Sequence, residues 1–185
     1  MPMLIRLVDG VFSQVQDHFV RLGDDEPVAG GDAFVSLDRL LTGGVSKAGS
    51  GRLGVWLEPE DEVEALEGRL DEVDLVALAF PKFRDGRAFT SARLLRERLG
   101  FTGEVRAVGD VLLDQAGFMV RCGFDAFSPA DGSTVEAWAA AAGRHRHVYQ
   151  RAADARAPPF SRGEGFEWLM TLPNCLTLRL ASMRN

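Results

Sequence analysis

LVALAF (residues 75–80) and the polar stretch PKFRDGRAFTS (residues 81–91) decide the fold. Six consecutive apolar residues between Asp74 and Pro81 indicate a strand that is covered on both faces, as in a parallel sheet. Parallel neighbours need crossover connections, which are usually helices. The polar stretch that follows is long for a strand-to-helix loop, so it is the first candidate for a functional loop.

Strand and helix patterns alternate on both sides of this stretch. Further short apolar runs predict strands at residues 33–37, 54–57, 105–108 and 124–127. Apolar residues at helical spacing predict helices at residues 38–41, from 59 to about 70, from about 91 to 99, from 110 to 122, and at 135–142. Residues 4–8 and 18–22 are expected to form two short edge strands around Asp9 and Gly10. About five strand–helix units predict an α/β fold with a mostly parallel sheet, either doubly wound or a partial β/α barrel.

Length and composition predict one domain and exclude several functions. The chain has 185 residues, 46% of them hydrophobic, and a net charge of −6, which argues against general nucleic-acid binding. No apolar run approaches the roughly 20 residues that span a bilayer, and no signal-peptide pattern is apparent. Cys122 and Cys175 form neither a CxxC pair nor a metal motif, so we expect a reducing, cytoplasmic location.

We expect the domain to cover residues 1–150, followed by an extension at 151–185 with a linker and an apolar segment that packs weakly.

A ligand site is expected where parallel strands end, because loops and helix N-termini converge there. The three loops in question are residues 81–91, 109–110 and 128–132. The first collects polar residues beside a predicted helix start: Lys82, Arg84, Asp85, Arg87 and Ser91. These groups suit an anion such as phosphate, sulfate or a carboxylate. The alternative is a solvated loop in which Asp85 and Gly86 form a turn and the arginines pair with Glu97 or Asp110.

The loop at residues 109–110 carries a second set of polar residues. Asp110 is followed by Asp114 one helical turn later, with Gln115 beside it and Arg121 near the same helix face. The two carboxylates could serve as a general acid/base pair or as an ion-pair clamp. The alternative is a helix N-cap with a surface pair, which is a common arrangement.

Three other sequence patterns do not predict functional sites, because the residues around them do not fit. GSGRLG (residues 49–54) matches a dinucleotide-binding pattern but enters a strand rather than a helix. His145 and His147 are two residues apart and would point to different faces of a helix, so no metal site is predicted. Cys122 lies between Arg121 and Gly123, and a buried structural thiol is favoured over a reactive one. No motif for a cofactor is found, and none is predicted.

Residues 80–127 carry a family resemblance. They read FPKFRDGRAFTSARLLRERLGFTGEVRAVGDVLLDQAGFMVRCGFDAF. This stretch closely resembles the core of the DUF934 family of bacterial proteins, with the signatures F-P-x-F-x-D-G-R, A-R-L-L-R, G-E-x-R-A-x-G-D-V-x-x-D-Q and R-C-G-F-D. The resemblance loosens upstream and covers roughly residues 20–150. It implies motif positions at Asp85, Gly86, Arg87, Arg93, Arg96, Arg106, Gly109, Asp110, Asp114, Gln115 and Arg121. Ala116 and Gly117 stand where the family more usually has bulky residues.

The resemblance implies a pathway but no demonstrated reaction. Proteins of this family look like companions of the enzymes of assimilatory sulfate reduction. They are often labelled probable oxidoreductases. We therefore expect an accessory or interaction component of sulfite reduction, with sulfite reductase or another enzyme of that pathway as partner. The alternatives are an enzyme that acts on a sulfur oxyanion or its nucleotide carrier, and a flavodoxin-like mononucleotide binder, which the fold class permits. The lack of a cofactor motif favours the accessory protein, because redox enzymes take their chemistry from cofactors. No nucleic-acid or membrane partner is expected, and the oligomeric state is left open.

Overall fold

The computed structural model describes residues 3–28, 30–43, 45, 51–145, 147–154 and 156. The described strands form one sheet in the order β2-β1-β8-β7-β6-β5-β4-β3. Their bounds are β1 Met3–Val8, β2 Val11–Gln16, β3 Val20–Arg21, β4 Ala33–Ser36, β5 Leu53–Leu57, β6 Leu75–Phe80, β7 Glu104–Gly109 and β8 Ala126–Phe127. The described helices are α1 Leu37–Leu41, α2 Arg87–Arg93, α3 Ala116–Cys122 and α4 Val135–Gly143.

The expectation of five strand–helix units is wrong. The sheet is mixed: β3 to β8 run parallel, whereas β1 is antiparallel to both of its neighbours. The strand order from β3 to β8 also steps in one direction, whereas a doubly wound sheet reverses its order at a switch point. The result is a half-barrel with few helices, which is only roughly compatible with the α/β class.

Two predicted helices are shorter than their sequence patterns. The stretch from residue 59 to 70 forms 3₁₀ turns at Val63–Leu66 and Leu70–Glu72, because Gly68 between them adopts a positive φ of 79°. The helix expected to begin at Asp110 begins at Ala116, after a 3₁₀ turn at Leu113–Gln115. In contrast, α2 begins earlier than expected, at Arg87, and continues as a π-helical turn at Leu94–Arg98.

The predicted central strand is confirmed. All six residues of β6 are buried, and β6 pairs in parallel with β5 and β7. Its side chains alternate between two apolar clusters. Val76, Leu78 and Phe80 belong to the large cluster that includes the helices, and Leu75, Ala77 and Ala79 to a smaller one with Phe34, Trp56 and Val108.

The N-terminal strands differ from the expected pair. Asp9 and Gly10 have φ values of 50° and 80° and join β1 to β2 in a tight antiparallel hairpin. The strand expected at residues 18–22 is reduced to β3, Val20–Arg21.

The link between β2 and β3 shows how strongly the sheet is curved. These strands lie at opposite edges of the sheet, yet only residues 17–19 separate them. Eight strands laid flat would span roughly 34 Å at about 4.8 Å spacing. Four Cα steps reach at most about 15 Å. The sheet must therefore curl until its two edges approach each other.

Some of the predicted segments lie partly outside the described residues. Residues 157–185, which hold most of the expected extension, are outside them, as are residues 49 and 50 of the GSGRLG motif. Within the described part, Asp154 pairs with Arg121 of α3 at 3.2 Å. None of the described helices is long and apolar enough to cross a membrane.

Candidate functional site

The loops after β6 and β7 are joined at the carboxyl edge of the sheet. Phe80 ends β6 opposite Gly109, the last residue of β7, and the Asp110 N–H donates to the Phe80 carbonyl at 2.7 Å. Gly109 has a φ of 94°, and a Cβ there would lie 2.4 Å from the Phe80 carbonyl oxygen. A glycine is therefore required where the two loops meet.

Two predicted site residues hold the backbone of the loop after β6. The Asp110 carboxylate accepts the Phe83 N–H at 2.8 Å. The Gln115 side-chain amide donates to the Phe83 carbonyl at 3.5 Å, and its oxygen accepts the Leu112 N–H at 3.3 Å. Asp114 is exposed and makes no hydrogen bond or ion pair with the residues that the structure describes. Asp110 thus holds the N–H of Phe83, and Gln115 holds its carbonyl.

An ion-paired group fixes the end of the same loop. Asp85 accepts hydrogen bonds from Arg87 Nε at 3.0 Å and from Arg87 Nη2 at 2.6 Å. Arg87 Nη2 also lies 3.2 Å from a carboxylate oxygen of Glu60, which follows β5. The hydrogen bond from Arg87 lowers the pKa of Asp85, and the same contact raises the pKa of Arg87. Arg87 thus has two carboxylate partners, Asp85 and Glu60, and does not pair with Glu97 or Asp110 as the solvated-loop alternative expects.

The tip of the loop exposes two cations and an aromatic ring. The side chains of Lys82 and Arg84 are exposed and make no ion pair or hydrogen bond with any described residue. Phe83 stands between them with 42% of its surface exposed. The Asp85 N–H closes this tip by donating to the Lys82 carbonyl at 2.9 Å. We call residues 82–84 the basic turn.

The helix beside the loop begins before the start predicted at about residue 91. Gly86 is the N-cap of α2, without a side-chain capping bond. Ser91 lies inside α2, where its hydroxyl donates to the Arg87 carbonyl at 3.4 Å. Ser91 is therefore not positioned as a cap for an anion site.

Arg96 and Arg106 hold the fold together. Arg96 donates to the carbonyls of Gly123, Phe101 and Gly103 at 3.0, 2.6 and 2.8 Å, and it pairs with Asp125. Arg106 is only 1% exposed and pairs with Glu104 at 2.7 Å and with Asp17 at 2.8 Å. The Asp17 contact anchors the link between the two sheet edges. Asp17 and Asp125 could not be predicted as partners, because they are distant along the chain from the arginines that they contact.

Arg93 and Arg121 also have partners. Arg93 pairs with Glu97 across one helical turn at 3.0 Å, so Glu97 pairs with a helix residue and not with an arginine of the preceding loop. Arg121 pairs with Asp154 and donates to the Gln150 carbonyl. Neither guanidinium lies at the basic turn.

A cavity of about 250 Å³ lies between α3, α4 and the segment that follows α4. Its lining includes Phe118, His145, His147 and Tyr149, and Phe118 is 50% exposed. His145 and His147 are themselves exposed. No group of three or more metal-ligating side chains occurs in the part of the chain that the structure describes.

Cys122 is buried, as predicted. Its side chain has no exposed surface, and burial raises the pKa of its thiol to about 11. The thiolate is therefore scarce near neutral pH. Cys175 lies outside the described residues.

A family model described as a bacterial protein of unknown function (DUF934) matches residues 54–160. This range is more than half of the chain, and the chain therefore belongs to the DUF934 family. It contains β5 to β8 and the whole of the basic turn, whereas β1 to β4 precede it. A search of the curated proteins finds no match.

Proposed function

We propose that this member of the DUF934 family is an accessory component of assimilatory sulfite reduction that binds an acidic surface of a reductase through its basic turn. The observation that carries the proposal is the pair of exposed cations, Lys82 and Arg84, on a loop whose backbone is held in place. The pathway is supported by the family resemblance alone. The mode of binding is supported by the geometry of the loop.

The shape of the basic turn favours a macromolecular partner over a small substrate. Small-molecule sites are concave and enclose most of the ligand. Lys82, Phe83 and Arg84 are instead all exposed, so their side chains project into solvent. Two cations on either side of an aromatic ring suit a protein surface that carries carboxylates and an apolar group.

The fixed backbone of the loop supports tight binding. Asp110 and Gln115 hold Phe83, while Asp85 and Arg87 hold the end of the loop. A loop that is already ordered loses less conformational entropy when the partner binds. In this scheme Arg87 positions the turn rather than holding an anion itself.

A growth assay tests the pathway and the site together. A strain that lacks this protein is grown on sulfate, sulfite, sulfide or cysteine and complemented with variants. We expect the deletion strain to grow on sulfide and cysteine only, and Lys82→Glu combined with Arg84→Glu to fail in restoring growth on sulfite. Arg98→Glu is the matched control, because Arg98 is 66% exposed and its nearest carboxylate oxygen, on Glu64, is 3.7 Å away.

Binding to purified sulfite reductase provides the second measurement. Reversing both charges should weaken binding at least about tenfold, and added salt should weaken binding of the unmodified protein, because exposed charges are screened. Restored growth with the double variant would refute the role of the basic turn. Normal growth of the deletion strain on every sulfur source would remove the pathway.

A further inference from the structure

The cavity beside α3 has the size of an anchor pocket. Its volume is about 250 Å³, and Phe118, Ala142 and Val148 contribute apolar surface to its lining. Pockets for drug-sized ligands and cofactors are larger, about 300–1,000 Å³. Pockets that receive one large side chain are instead typical of protein interfaces, where such anchors supply much of the binding energy.

The cavity and the basic turn lie along the same helix. Gln115 at the start of α3 contacts the Phe83 carbonyl of the basic turn. Phe118, one helical turn later, lines the cavity, and its ring centroid lies 4.8 Å from that of Phe89 in α2. The outer surface of α3 therefore leads from the basic turn to the cavity.

The charges around the cavity match those of the basic turn. Arg156 lines the cavity, where its guanidinium pairs with Asp154 at 3.5 Å and donates to the His145 carbonyl at 3.2 Å. Arg121 also lines it and is paired with the same carboxylate. Asp114 is the exposed acidic residue on this side of α3. A partner that carries negative charge fits both ends of this surface.

We infer that a single acidic segment of the partner lies along α3, with carboxylates on Lys82 and Arg84 and one apolar side chain in the cavity. This inference rests on the proposed function and adds the chemistry of the partner segment. The acidic residues orient the segment on the surface and raise its association rate. The anchor side chain contributes most of the binding free energy.

Selection of random peptides displayed on phage, with the full chain as target, tests the inference. We expect enriched peptides to combine acidic residues with a tryptophan, phenylalanine or leucine. Phe118→Ala should weaken binding of these peptides about tenfold, because it removes apolar surface from the pocket that receives the anchor side chain. His147→Glu should also weaken them, and it tests the cavity without removing a packed side chain. Leu41→Ala, at a residue 39% exposed outside this surface, is the apolar control.

The outcomes separate the inference from the proposed function. Acidic peptides without an apolar residue, or peptides that bind Phe118→Ala and His147→Glu normally, would overturn the inference and leave the basic turn as a docking site. Peptides that lack acidic residues, or no enrichment, would count against both. If the protein dimerises and Phe118→Ala makes it monomeric, the surface is an interface between copies and the inference fails.

Discussion

Replacing Arg96 should destabilise the fold more than replacing any other motif arginine whose side chain reaches the protein surface. Its guanidinium donates to three carbonyls and pairs with Asp125, while its side chain is only 17% exposed. These contacts join the end of α2 to the turns before β7 and β8. Arg96→Ala therefore leaves several polar groups without a donor in a partly buried place.

The size of the effect follows from those contacts. An unsatisfied buried polar group costs about 1–3 kcal/mol, and breaking a buried ion pair costs about 3–5 kcal/mol. Water can reach Asp125, whose side chain is 40% exposed, so we take the low end of that range. We expect Arg96→Ala to lower the free energy of unfolding by about 3 kcal/mol. Arg96→Lys should lower it by about 2 kcal/mol, because an ammonium group cannot reach all of these acceptors.

Urea unfolding followed by tryptophan fluorescence measures these free energies. Arg93→Ala is the matched control, because Arg93 makes one exposed pair with Glu97 that is worth about 0.3–0.5 kcal/mol. If Arg96→Ala costs no more than Arg93→Ala, the assignment of Arg96 to the fold is wrong. If the proposed function holds, folded Arg96→Lys should bind the proposed reductase partner as the unmodified protein does, because Arg96 does not contact the basic turn.

Three further changes test other parts of the structure. Gly109→Ala should cost about 2 kcal/mol, because the added Cβ meets the Phe80 carbonyl at a positive φ, and an unchanged melting temperature would contradict this. Arg87 lowers the pKa of Asp85, so the stability that this pair contributes is present above the unfolded pKa of about 3.9 and is lost as pH falls through the folded value. Acid unfolding curves of Asp85→Asn should therefore lack part of the loss seen below about pH 4, and identical curves would argue against the pair. Cys122 should resist iodoacetamide in the native protein and react in urea, as measured by mass spectrometry; rapid native labelling would show that this thiol is accessible.

The central strand could be predicted because its signal is local. Six apolar residues between Asp74 and Pro81 require cover on both faces, and β6 has it. The candidate loop could be located for the same reason, since it follows that strand. Gly68 is also a local signal, since a glycine favours a break there, and the helix predicted from the apolar spacing alone is too long.

The curvature of the sheet and the partners within the site could not be predicted from local patterns. The link between the two sheet edges is anchored by Asp17, which pairs with Arg106 far along the chain. The loop after β6 is held by Glu60 and Asp110, which follow two different strands. Nothing distinguishes Glu60 from its acidic neighbours in the sequence, so the choice of partner depends on the tertiary fold.

The position of β1 has a consequence for how the protein is made. β1 is synthesised well before β8, which is one of its neighbours in the sheet and where Phe127 lies opposite Ile5. At about 5–20 residues per second, several seconds separate the synthesis of these two strands. During that interval the nascent N-terminal hairpin has an edge with no native partner, and such edges recruit other chains. Chaperones that bind nascent chains should therefore act on β1 and β2 until residue 127 has emerged.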